Sequence, residues 1–204
     1  MSGFYINTSD LRAIQAALGA SQKQMTMAWN RALRDTLSSL RIRSVAVMVE
    51  RTGVKKKTSV TRRIRTFSRK GTANSPAGGK VWFGLDGMPV SALDGEISNA
   101  TERSRERDSK GRFVKMSESS GATFKPKSSA LGMITYPGAF VATFRGRTSI
   151  FTRVHGKPHL MEVKVKIDNA ITKAINDELF VGAEEMLLDK YQKELQRLVG
   201  AGIK

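Results

Sequence analysis

His155 and His159 are the two imidazoles of the chain. Histidines four apart can hold a metal ion when a helix sets both on one face. Gly156 and Pro158 break that face, and no carboxylate cluster accompanies the pair. They read as turn or surface histidines, and no metal or cofactor is assigned. No glycine-rich phosphate loop runs into Lys and Ser or Thr, and no G-x-S-x-G elbow occurs. Asp177-Glu178 and Glu184-Glu185 fall in the last helical stretches, where helix-start charge or a solvated face accounts for them. With no cysteine, disulfides, thiolate zinc sites and Cys nucleophiles are all excluded. The expectation is a protein that is not an enzyme.

The chemistry that remains is cationic. Lys plus Arg number 35 against 18 Asp plus Glu, a net charge of +17. More than half of that excess lies between Arg41 and Lys70, where Glu50 is the one acid. Arg51, Lys55, Lys56, Lys57, Arg62, Arg63 and Arg65 are the candidate contacts. Such a run fits a DNA-facing patch, a dock for an acidic partner ring, or a solvated helix end. Phosphate contact would be salt-sensitive and blind to sequence. No zinc-finger or RNP-type signature accompanies it, so base-specific reading is not expected. A non-sequence-specific nucleic-acid-binding protein using residues 41–70 is the alternative to an assembly role.

These cations need elements to carry them. Thr8-Ser9-Asp10 offer N-capping oxygens for a short helix that Gly19 ends. From Ser21 to Gly53, Met25, Trp29, Leu33, Leu37, Leu40, Val45 and Met48 recur at helical spacing. This long helix is the expected spine, its stripe either buried against a sheet or open to a partner. Lys80 to Leu85 reads as a strand, Asp86-Gly87 as a turn, and Met88 to Leu93 as an antiparallel return with Pro89 on an edge.

Between Asp94 and Ala130, Ser, Gly and alternating charges crowd together with few apolar residues, which predicts a mobile arm or long hairpin. Arg112 to Lys115 and Ala122 to Lys125 could pair as its strands. Arg112, Phe113, Val114 and Phe124 are the candidate inter-subunit contacts.

Met133 to Tyr136, Ala139 to Phe144, Ser149 to Val154 and Met161 to Ile167 read as strands. In the last of these, Met161, Val163, Val165 and Ile167 alternate with charged residues and should face the core. Helices over 169–179 and 183–199 close the chain. The order predicts an α+β fold with a long N-terminal helix packed on a central antiparallel sheet. One domain over 1–204 is the expectation for 204 residues, a length that buries roughly 70% of the unfolded surface. Neither a standard signal at the N-terminus nor a run of about 18 apolar residues is present, so no membrane association is expected.

Three groups of residues, in this order, resemble the minor tail protein Z (tail completion) family of lambda-like phages and prophages. They are Met27-Ala28-Trp29-Asn30-Arg31-Ala32, then Thr52-Gly53-Val54-Lys55-Lys56-Lys57 with the basic run after it, then Tyr136-Pro137-Gly138-Ala139-Phe140. Arg153-Val154 and the strand ending at Lys166-Ile167 follow in the same order, so the likeness covers about two thirds of the chain. Asp94 to Ala130 departs from it, being more acidic than the family's segment there. The resemblance implies a virion protein added late at the head-proximal end of the tail. It also implies a hexameric ring, with the tail terminator, tail tube or head-closure ring as neighbours and passing contact with genome DNA.

Overall fold

Ser21 and Gln24 exchange hydrogen bonds at the head of the spine helix. The Gln24 N–H donates to Ser21 Oγ (3.3 Å), and the Ser21 N–H donates to Gln24 Oε1 (2.7 Å). This reciprocal capping satisfies donors that the first helical turn leaves unpaired. The computed structural model describes residues 8–71, 78–99, 109–110, 121–144, 146–153 and 160–202. Helices stand at the two ends and antiparallel strands between them, the α+β class expected. Two compact units result. The first comprises Met1–Met48, Val60–Gly84 and Thr172–Lys204, the second Val49–Ser59 and Leu85–Ile171.

In the first unit, α1 (Thr8–Ala17) stops at Gly19, whose φ of 60° suits a residue without a side chain. The spine, α2 (Gln22–Thr52), buries Ala28, Ala32, Leu33 and Leu37 against Leu187, Tyr191, Leu195 and Leu198 of α5 (Ala183–Gly200). Ala28 and Ala32, one turn apart, keep this face of α2 shallow. Trp29 meets the Tyr191 ring edge-on at 5.8 Å. Each leucine buried here stabilises the unit by about 1.5–3 kcal/mol. The stripe expected on α2 is therefore interior: Leu33, Leu37, Leu40, Val45 and Met48 are all buried.

The unit's sheet departs from expectation. The segment Lys80–Leu85 does not return through Met88–Leu93. Instead β1 (Ile64–Arg69) pairs antiparallel with β2 (Gly78–Phe83), Thr66 opposite Val81 and Ile64 opposite Phe83. This register puts Val81 onto the α2–α5 core. Gly79 lets β2 lie against Leu37, since a Cβ there would stand 2.7 Å from a Leu37 methyl.

The second unit is strand-rich. After Pro89, a 3-10 turn over Val90–Ala92 ends β3 (Met88–Pro89) after two residues, and β3 pairs with β10 (Lys164–Val165). The strands β4 (Gly95–Ser98), β5 (Gly121–Pro126) and β6 (Ile134–Pro137) lie side by side. A further three-stranded sheet holds β7 (Phe140–Phe144), β8 (Arg147–Arg153) and β9 (Leu160–Glu162). The run Met161–Ile167 is broken at Val163, and Met161 is half exposed while Val165 and Ile167 are buried. Asp168–Ala174 forms α4, followed by a π-helical turn over Ile175–Leu179.

Glu162 ties this unit together. Its Oε1 accepts from the Ser91 N–H (2.9 Å) and the Ser149 hydroxyl (2.5 Å). Burial acts to raise its pKa, but these hydrogen bonds and the charge of Arg147 outweigh it, leaving the carboxyl below the ordinary value. A depressed carboxylate contributes stability that is complete above the unfolded pKa and lost as pH falls through the folded one. Glu162→Gln is expected to lower the urea midpoint near neutral pH, with the gap to wild type closing below about pH 4. A gap that persists undiminished to about pH 3 would contradict this assignment.

Candidate docking surface

The candidate cations divide between the two units. In the second, Arg51 ends α2 with its Nε shielded from solvent, and its carbonyl accepts from Ser128 Oγ (2.6 Å). Lys55, Lys56 and Lys57 follow, all exposed, where Gly53 ends α2 and α3 (Lys57–Thr61) begins. The Lys55 main chain donates to Ala92 O (2.9 Å) and its Nζ to Ser91 O (3.2 Å). In the first unit, Arg62 is exposed in the turn after α3. Arg63 is half-buried, with its guanidinium donating to Gly84 O (3.4 Å). Arg65 stands exposed on β1, opposite Trp82. Contiguity in sequence thus translates into different settings, from shielded (Arg51) to open (Lys56, Arg62, Arg65).

The β1–β2 ladder adds residues absent from the cation list. With Ile64, Thr66, Val81 and Phe83 on one side of the pleat, Arg65, Phe67, Arg69, Lys80 and Trp82 share the other. Phe67 is 54% and Trp82 49% exposed. The signal for this face was the period-two alternation of Ile64-Arg65-Thr66-Phe67, masked by the density of charge. No acidic residue stands between Glu50 and Asp86, so nothing local neutralises it.

Phe124 is a core residue. It is fully buried on β5, opposite Ile97 on β4 and Ile134 on β6, so it offers no surface to a neighbour. Apolar Phe124 fills a sheet face, and β4 and β5, both within the 94–130 segment, pair antiparallel. Arg112, Phe113 and Val114, the expected partner strand Arg112–Lys115, and both His155 and His159 lie outside the described residues. Among the described residues there is no cluster of His, Asp and Glu arranged to hold a metal.

The order of elements now carries the quoted motifs in place: Trp29 in the α2–α5 core, the Lys55–Lys57 run just past α2, and Pro137-Gly138 leading into β7, with Gly138 at φ 69°. The model of the family described as prophage minor tail protein Z (GPZ) matches residues 5–201. The chain belongs to the prophage minor tail protein Z family. No curated protein and no solved structure matches it. As a minor tail protein it is a structural component of the phage tail, belongs to the virion and works among other tail proteins. Among its described residues no helix is long and apolar enough to cross a membrane.

Proposed function

We propose that this minor tail protein completes the head-proximal end of the tail, as a homo-oligomeric ring, and acts by assembly rather than catalysis. Family membership over residues 5–201 carries this reading. The sixfold symmetry of tail tubes makes a hexamer the expected form, with heterologous contacts closing by rotation. Its neighbours would be the tail terminator, the tail tube or the head-closure ring. In a phage lacking the gene, tubes of normal length and filled heads should accumulate unjoined, with infectious titre falling by orders of magnitude. Absence of tubes would overturn completion in favour of a role in tube polymerisation.

The exposed cations Lys55, Lys56, Lys57 and Arg62 are assigned to the DNA path. Fixed channel charges must guide DNA without trapping it, so a few weak phosphate contacts per subunit are appropriate. Complementation with Lys56→Glu/Arg62→Glu is expected to give joined particles that deliver DNA poorly. Failure to join heads would instead assign these residues to an acidic protein neighbour. The second reading, a non-sequence-specific nucleic-acid-binding protein, draws on the acid-free stretch between Glu50 and Asp86. It predicts a monomer that gains mass only with DNA or RNA.

A further inference from the structure

Helix α2 serves as a ruler for the first unit. On one of its sides Asn30 exchanges hydrogen bonds with Gly71 (2.7 and 3.3 Å), Leu37 packs against Gly79, and Arg41 Nε donates to Ile64 O (3.4 Å). All three partners belong to the β1–β2 hairpin or its connection. On another side Arg31 pairs with Glu194 (3.1 Å), Lys190 Nζ donates to Asp35 O (2.8 Å), and Arg43 Nη1 donates to Val181 O (2.9 Å). These partners belong to α5 or the turn before it. With 3.6 residues per turn, Arg41 and Arg43 leave the helix about 200° apart. The hairpin and the segment around Val181 therefore lie on opposite sides of α2.

The two sides differ in charge. The outer face of the hairpin presents Arg65, Arg69 and Lys80 around the half-exposed rings of Phe67 and Trp82. Across α2, Asp177, Glu178, Glu184 and Glu185 occur with no basic residue between Lys173 and Lys190, while Asp189 is paired with Lys193 (2.8 Å) and Arg43 reaches the Val181 carbonyl. Val181 sits among them, 61% exposed. Aromatic rings held this open in water gain by burial, and the cations around them reject a basic partner and favour an acidic one. A second copy of this chain supplies an acid-rich segment, Asp177 to Glu185, that includes the exposed Val181.

We propose that copies of this chain associate head to tail, the outer face of β1–β2 in one copy seating on the Asp177–Asp189 segment of the next. The contact joins two different surfaces on opposite sides of one unit. It is therefore heterologous and propagates around a ring when the rotation closes. This gives the ring reading above its interface and rests on that reading, although it can be tested on the purified full chain alone.

The test is a charge swap followed by light scattering at low salt. Arg65→Glu/Lys80→Glu and Glu184→Lys/Glu185→Lys should each reduce the wild-type oligomer to the mass of one chain, 22.4 kDa. Mixed in equal amounts, the two variants should regain the wild-type mass, because every contact in an alternating assembly again joins opposite charges. Raising the salt should dissociate the wild type. A wild type that stays monomeric at low salt overturns the proposal, as does a mixture that stays monomeric while both variants keep wild-type melting midpoints. Mass gained only with added DNA or RNA overturns it in favour of nucleic acid on this face. If a reversal variant fails to fold, Arg65→Gln/Lys80→Gln should weaken association in the same direction, and unchanged mass there counts against the contact. Head joining in the gene-deleted phage is scored separately. Loss of joining alongside a failed swap leaves tail completion standing without this interface, and an intact swap with normal joining leaves the interface without tail completion.

Discussion

Tyr191→Ala is expected to lower the unfolding free energy by about 4 kcal/mol, the range for deleting a fully buried aromatic ring. Tyr191 is completely buried between α2 and α5 and lies edge-on to Trp29. Its removal leaves a cavity in the cluster it shares with Ala28, Ala32 and Leu187. Tyr191→Phe separates ring from hydroxyl. The hydroxyl is out of water with no hydrogen-bond partner among the described residues, and burial pushes its pKa up to about 12. Deleting an unsatisfied buried polar group is close to neutral or stabilising, so Tyr191→Phe should fall within about 1 kcal/mol of wild type or above it. Urea unfolding followed by circular dichroism measures both. Equal losses for the two variants would show that the hydroxyl, not the ring, anchors the helix pair.

Gly121→Ala is the second large effect, and it acts through backbone. On β5, opposite Pro137 of β6, a Cβ at position 121 would stand 1.9 Å from the Tyr136 carbonyl oxygen and 2.6 Å from its carbon. A side chain could rotate away, but a strand carbonyl cannot move without opening the ladder. The cost is about 3 kcal/mol, at the upper end of overpacking, and slower exchange protection should be lost first from Ala122 to Phe124 and Ile134 to Tyr136. Gly132→Ala is the control, since nothing lies within 4 Å of its Cβ position, and it should leave stability unchanged or raise it by about 0.5 kcal/mol. Comparable losses in both variants would show that close approach to the Tyr136 carbonyl is not what the Gly121 substitution costs.

Helical elements were the legible part of this protein. The stripe from Met25 to Met48 and the Gly19 and Gly53 stops placed α2 within a residue of its ends, because helical periodicity and capping are local properties repeated over many turns. Strand pairing was less legible. The run Lys80–Leu85 was recognisable as extended, but its partner lay upstream in Ile64–Arg69, where four of the six side chains are polar or charged. A strand's partner is chosen by which register buries Ile64 and Val81 together, and that depends on α2 and α5 being there to receive them. Phe124 shows the same limit: its neighbours in sequence are small or polar, and only the flanking β4 and β6 make it interior.

The cations divide along similar lines. Their number, their crowding between Arg41 and Lys70, and the family motifs around them are properties of order along the chain, readable without a fold. Which of them face water is not. Arg51 turns its Nε inward, Arg63 is tied to Gly84, and Arg65 joins Lys80, Phe67 and Trp82 through a ladder that brings together residues more than ten apart. A surface is made by pairing and packing across distance, so its membership was decided only when β1 met β2 and α2 set the acidic segment on the far side.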